Sequence, residues 1–270
     1  MSVTMASLLA ELAAETEVVD NMVVDLAEDD WDRATPAVGW AIRDQISHLA
    51  YFDKAALLAA TDGERFRDEA KALFALGDTF PDAVAHRYHE MAVPELLNWF
   101  RQARRSLIET FMPLDPRVRL PWYGPDMSAA SSVTARLMET WAHGQDIADT
   151  IGIQYEATPR LRSIAHLGVS TFAFAYRLRG LDVPEAPVRV ELESPDGELW
   201  SWGPEDAADR VRGTARDFCL VVTQRRHLAD TRLGVIGATA AQWMSIAQAF
   251  AGRPGPGRRP GQFPIVKEES

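Results

Sequence analysis

A single cysteine, Cys219, stands in 270 residues, so the chain cannot form an internal disulfide or a thiolate metal cluster. Cys219 lies in the apolar run Phe218-Cys219-Leu220-Val221-Val222, which predicts a buried, inert thiol rather than a nucleophile. Lysine is also scarce, at Lys54, Lys71 and Lys267, while arginine is abundant. The net charge of −11 argues against a nucleic-acid partner, which wants a basic surface. No stretch reaches the roughly 18 apolar residues of a membrane span. The most apolar candidate, residues 233–251, is interrupted by Gln242, Ser245 and Gln248. Residues 1–20 show no basic region ahead of an apolar run, which argues against a secretory signal. These absences predict a cytoplasmic location and a small-molecule partner, with a homodimer left open. The chain offers no phosphate-binding loop and no nucleophile triad.

What is present first is helix. Residues 7–26 carry Leu8, Leu9, Leu12, Val19, Met22, Val23 and Leu26 at helical spacing. Residues 41–60 and 94–112 repeat the pattern, the latter with Pro94 in its first turn and Pro113 beyond its end. Residues 64–89 are less regular, with a short helix starting near Pro81. A proline- and aromatic-rich loop over 116–126 leads to Ser128, which can cap a helix reaching Ile151 before Gly152. Residues 159–179 predict one more helix.

The period then changes. Residues 188–193 alternate, Pro195-Asp196-Gly197 is a turn signal, and 199–202 reads as the returning strand of a hairpin. A third strand is expected over 208–213, a helix over 214–224, a short strand over 233–236 and a last helix over 239–250. The Pro/Gly-rich segment from Gly252 reads as an extended or disordered tail. The fold class is therefore α+β, mainly α: a helical bundle over 1–180, a small α+β domain over 186–251 and a tail over 252–270.

Chemistry concentrates on the helix after Ser128. Glu139 and His143 are four apart and share one face, where a carboxylate and an imidazole can hold one divalent metal. At about 100° per residue, Ser132, Arg136, His143, Asp146 and Thr150 fall within about 60° of Glu139. Val133, Leu137, Trp141 and Ala148 gather opposite. Two readings compete. An amphipathic helix ordinarily turns such a stripe to water. This stripe, however, has no lysine, is flanked by small residues, and follows the aromatic loop Pro121-Trp122-Tyr123-Gly124. If it is a metal site, a third ligand must come from elsewhere, and His48 is the best candidate. His48 sits at the edge of an apolar arc beside Gln45 and Phe52, where a satisfied boundary histidine is the alternative. Asp53 falls inside that arc, either to orient a ligand or to cover the bundle's end. His86 and His89 read as boundary or surface histidines.

Two segments carry a resemblance: Gly39-Trp40-Ala41-Ile42-Arg43-Asp44-Gln45-Ile46-Ser47-His48-Leu49-Ala50, and Arg136-Leu137-Met138-Glu139-Thr140-Trp141-Ala142-His143-Gly144-Gln145-Asp146. Together they resemble the DinB-like, mycothiol-dependent maleylpyruvate isomerase superfamily. The resemblance implies an N-terminal four-helix bundle holding a divalent metal, usually zinc, by His48, Glu139 and His143. The stretch Val211-Arg212-Gly213-Thr214-Ala215-Arg216-Asp217-Phe218-Cys219-Leu220-Val221-Val222 is similar to that family's small C-terminal domain. It implies that an arginine after this helix, Arg225 or Arg226, helps bind substrate or thiol, although Thr223-Gln224-Arg225-Arg226 departs from the usual Gly-Arg.

The implied function is a divalent-metal-dependent transferase or isomerase. It would use a low-molecular-weight thiol, mycothiol or another, on a small electrophilic or unsaturated acid. On the wheel, Arg136 and Asp146 are placed to bind an anionic substrate and to orient a ligand. The rival expectations are a metal-dependent hydrolase or lyase whose open position holds water, and a non-catalytic metal-binding protein.

Overall fold

Helix ends in the computed structural model, which describes residues 4–77 and 80–263, follow from local capping chemistry. Helix α1 (Met5–Val23) opens where the Thr4 hydroxyl accepts the Ser7 N–H at 3.1 Å. Helix α2 (Ile42–Thr61) opens where the Asp44 carboxylate accepts the Ala41 N–H at 2.8 Å. Helices α3 (Gly63–Phe74), α4 (Phe80–Arg87) and α5 (Val93–Phe111) follow, with Pro94 in the first turn of α5. Helix α6 (Ala129–Ile151) is capped by Ser128, whose hydroxyl accepts the Ser131 N–H at 3.1 Å. It ends at Gly152 in the left-handed region, φ 76°.

The span 64–89 is more regular than its sequence suggests. Helix α3 fills much of it, burying only the narrow stripe Phe66, Ala70 and Leu73. The aromatic loop over 116–126 is closed by two short antiparallel strands, β1 (Arg119–Leu120) and β2 (Met127–Ser128).

The chain divides into two compact units, Met1–Tyr155 and Glu156–Ser270. In the first, α1, α2, α5 and α6 close a four-helix bundle: α1 packs on α6, α6 on α2, α2 on α5 and α5 on α1. Its core joins Val19, Ile42, Ile46, Leu49, Leu96, Phe100 and Ile147. Each such side chain, fully buried, contributes about 1.5–3 kcal/mol of transfer free energy. Gly144 lets α6 approach closely, since a Cβ there would lie 2.7 Å from Tyr155 Oη and 2.9 Å from Val19 Cγ2.

In the second unit the helix expected over 159–179 is two, α7 (Leu161–Ser170) and α8 (Phe172–Leu178), broken at Thr171. The sheet comprises β3 (Val188–Glu193), β4 (Leu199–Trp202), β5 (Asp209–Thr214) and β6 (Gly234–Ile236), in the order β4-β3-β5-β6. The expected hairpin pairs β3 with β4, and β5 lies parallel to β3. The short link from β4 to β5 passes under the start of β3 at Gly203, φ 80°, where a Cβ would sit 2.3 Å from the Val188 carbonyl oxygen. Helices α9 (Ala215–Val222) and α10 (Ala238–Ile246) complete the unit. Because α7 packs on α9 and α8 on α10, the unit begins near residue 156 rather than at the change of sequence pattern near 180. Part of the expected loose tail folds back on this unit: the Gly261 N–H donates to Asp230 at 2.7 Å, and the Phe263 ring lies 3.9 Å from the Arg226 guanidinium. Residues 264–270 of that tail lie outside the described residues. Among the described residues, no helix is long and apolar enough to cross a membrane.

Candidate metal centre

The packing of α2 against α6 brings His48 to the Glu139/His143 pair. His48 Nε2 lies 3.4 Å from Glu139 Oε2, and His143 Nε2 lies 3.0 Å from the same oxygen. One ligand atom from each of the three residues falls within 4.8 Å of the others. Zinc–ligand bonds of about 2.0–2.2 Å give a tetrahedron edge of roughly 3.3 Å. The spacing therefore fits one shared ion, and two imidazoles with one carboxylate are an apt donor set for zinc.

The polar stripe of α6 faces inward. Ser132, Arg136, His143 and Asp146 are buried, and so are Val133, Leu137, Trp141 and Ala148 on the opposite side. The water-facing reading of the stripe does not hold. Glu139 keeps 16% of its side chain exposed, which leaves a route from solvent to the three residues.

Charges packed this way shift each other. Burial pushes the Glu139 carboxyl up, but hydrogen bonds to His143 and His48, with the Arg136 charge nearby, hold it well below the ordinary carboxylate value. Burial pulls the Arg136 guanidinium down, opposed by Glu139 and Asp53. Arg136 Nη2 stands 4.0 Å from Glu139 Oε1, and the guanidinium lies over the Trp122 and Phe52 rings at 5.5 and 5.9 Å. Arg136 Nη1 is buried with no hydrogen-bond partner among the described residues.

Aromatic side chains wall the site. Trp40 stacks on His143 with an interplanar angle of 17°, and Phe52 packs on His48 with ring centroids 4.5 Å apart. Trp122 and Tyr123 extend the wall from the loop before α6. Burial pushes the Tyr123 hydroxyl above its ordinary value, so it stays protonated.

Asp53, inside the apolar arc of α2, pairs with Arg104 of α5. Arg104 Nε and Nη2 donate to the two Asp53 carboxylate oxygens at 2.7 and 3.2 Å. Nη2 also donates to Thr140 Oγ1 at 3.0 Å and Nη1 to Thr16 Oγ1, so one guanidinium ties all four bundle helices together next to Glu139. The outer side of this clasp borders a cleft of about 430 Å³ between α1 and α5, which contains none of the three converging residues.

Sequence reasoning missed the residue that holds His143. Its Nδ1 meets Gln45 Oε1, and Asp146 lies buried one turn further along α6. Gln45 is three residues before His48 and on the same face, a spacing that marks it as a neighbour of the site. His89 Nδ1 meets Asp44 Oδ1 at 3.2 Å at the start of α2. Arg225 and Arg226 lie in the second unit in the turns after α9. There Arg225 Nη1 donates to the Thr223 carbonyl at 2.7 Å, and Arg226 covers Phe263.

The fold is a four-helix bundle with an inward Glu-x-x-x-His on one helix and a histidine on a neighbouring one, followed by a small α+β unit. Residues 12–148 match the family model described as the mycothiol maleylpyruvate isomerase N-terminal domain, and the chain belongs to that DinB-like superfamily. Residues 184–236 match a model described as wyosine base formation. Uncharacterized proteins from two strains of Mycobacterium tuberculosis are 48% identical over 250 residues, covering 93% of this chain and 97% of theirs. The crystal structure of the mycothiol-dependent maleylpyruvate isomerase is similar in fold, with a TM-score of 0.56 at 13% identity, over 88% of this chain and 94% of that one. A histidine-to-alanine mutant of that isomerase gives 0.57.

Proposed function

We propose that the protein is a divalent-metal-dependent enzyme, with zinc as its metal, that uses a low-molecular-weight thiol on a small electrophilic or unsaturated acid. The observation that carries this reading is the convergence of His48, Glu139 and His143 in a buried stripe that also holds a cation, Arg136. Kinship with a family named for a mycothiol-dependent isomerase supports the thiol. A divalent ion held by the three side chains would favour thiolate over thiol and polarise a carbonyl.

The chain's own residues supply the rest. Cys219 is buried in the second unit with its thiol pushed up by burial, so the nucleophile comes from outside the protein. Addition of the thiolate sulfur to a carbon–carbon double bond sends the electron pair toward the conjugated carbonyl. The former double bond can then rotate, and loss of the thiolate restores it in the other geometry. With a saturated electrophile, the sulfur forms the new bond and the leaving group departs with its electron pair. In either case negative charge sits on the substrate. Arg136, held over Trp122 and Phe52 and offering an unused N–H edge, is placed to bind an anionic group. Trp40 and Phe52 exclude water around the histidines, which strengthens each electrostatic contact. Asp146 lies buried on α6 one turn from His143.

The test is turnover of unsaturated and electrophilic acids by the zinc-loaded protein with and without added thiol, mycothiol first. Turnover that requires thiol and falls at least about tenfold in Arg136→Met supports the reading, since a charge-assisted contact is worth about 1.5–3 kcal/mol. Turnover indifferent to thiol would instead indicate hydrolase or lyase chemistry at the same residues. Zinc binding with no turnover of any substrate would indicate a metal-binding protein.

A further inference from the structure

The hydrogen bonds behind His143 run in one direction, and their order can be derived without placing a hydrogen. Thr35 Oγ1 lies 2.9 Å from the Trp40 carbonyl oxygen and 3.5 Å from that of Ala37. Carbonyls only accept, so the single hydroxyl proton of Thr35 is committed to the loop backbone. Thr35 Oγ1 therefore receives a hydrogen bond from its third neighbour, the Gln45 side chain, 2.8 Å away. That fixes the amide: Nε2 faces Thr35 and Oε1 faces His143. An amide oxygen only accepts, so His143 Nδ1 must carry the proton it donates to Gln45. The lone pair of the neutral ring is then left on Nε2, the nitrogen 3.0 Å from Glu139 and on the His48 side. The same loop supplies the stacking ring, because Trp40 lies on His143 at 17°. Gln45 is fully buried and Thr35 nearly so, and water has little access to compete.

We infer that the loop residue Thr35 and the α2 residue Gln45 form a tautomer-setting relay that presents His143 Nε2 to a divalent cation. Gln45 is thus a positioning residue for the metal centre. The inference rests on the metal reading above and adds to it the reason one face of His143 is a ligand. A buried acceptor on Nδ1 also makes Nε2 a better donor, as outer partners of metal-bound histidines do.

The experiment is zinc affinity by competition with a chromophoric chelator at one fixed pH, for the full chain and its variants. Gln45→Met keeps the volume and removes the acceptor, and should weaken zinc by about 10–100-fold. Gln45→Glu keeps an acceptor toward Nδ1 but loses the donor toward Thr35, and should lose clearly less affinity than Gln45→Met, a partial rescue that a packing role alone would not give. Nitrogen-15 imidazole spectra of the zinc-loaded wild type should show His143 protonated at Nδ1, which keeps the inference testable if Gln45→Met does not fold. Unchanged affinity in Gln45→Met, equal loss in Gln45→Glu, or an Nε2–H tautomer at His143 would overturn it while the metal reading stands. A wild type that binds no zinc overturns both.

Discussion

Replacing Arg104 by leucine strands a carboxylate in the middle of the bundle. Asp53 is fully buried, and its two oxygens receive Arg104 Nε and Nη2 at 2.7 and 3.2 Å. The other partners of the guanidinium lose less. Thr16 Oγ1 donates to the Leu12 carbonyl at 2.6 Å and Thr140 Oγ1 to that of Arg136 at 2.7 Å, so both hydroxyls stay bonded without Arg104. The cost therefore falls mainly on Asp53. Breaking a buried pair from one side costs about 3–5 kcal/mol. For a domain of this size, roughly 2–4 °C is lost per kcal/mol, so Tm should fall by about 6–20 °C. Arg104→Leu with Asp53→Leu removes both charges and should recover most of that loss, since apolar replacements of buried pairs are near neutral. Thermal melts by far-ultraviolet circular dichroism on the wild type, both single variants and the double variant provide the cycle. A single variant within about 2 °C of wild type, or a double variant no better than Arg104→Leu, would refute the reasoning.

Other consequences follow from the same packing. Glu139 has a folded pKa held well below its ordinary value, so its stabilisation of the metal-free protein is present above about pH 4.5 and is lost as pH falls from there toward the depressed value. Metal-free Glu139→Gln should therefore lose less stability than wild type across that acid window, as urea midpoints at a series of pH values would show. Cys219, buried with its sulfur 3.6 Å from the Leu161 carbonyl oxygen, should resist a disulfide-exchange reagent at mildly alkaline pH and react once in denaturant; rapid native reaction would contradict its burial. Gly144→Ala drives a methyl against Tyr155 Oη and Val19 and should cost about 1–3 kcal/mol by chemical denaturation, without the loss of zinc expected of a ligand variant.

Much of this architecture could be read in advance, and the exceptions have physical causes. The α6 boundaries were legible because Ser128 and Gly152 act through local geometry, and the β3–β4 hairpin because Pro195-Asp196-Gly197 forces a turn. Helix α3 was obscured because three buried residues leave a thin apolar signal among charges. The parallel pairing of β3 with β5 depends on a crossover that no local pattern encodes. Glu139 and His143 were legible because their spacing lies within one helix. The burial of their stripe was not, because it depends on two neighbouring helices. Arg104–Asp53 and Gln45–His143 join residues 51 and 98 positions apart, and such partnerships exist only once the bundle closes.

The central claim is a three-ligand metal centre, and metal analysis of the purified protein beside His48→Ala and Glu139→Gln addresses it most directly. With zinc supplied during expression, the account predicts about one ion per wild-type chain and less than about a tenth of that in either variant, because loss of one of three protein ligands leaves too few to retain it. Wild-type metal near zero, or variants that keep their full complement, would contradict it.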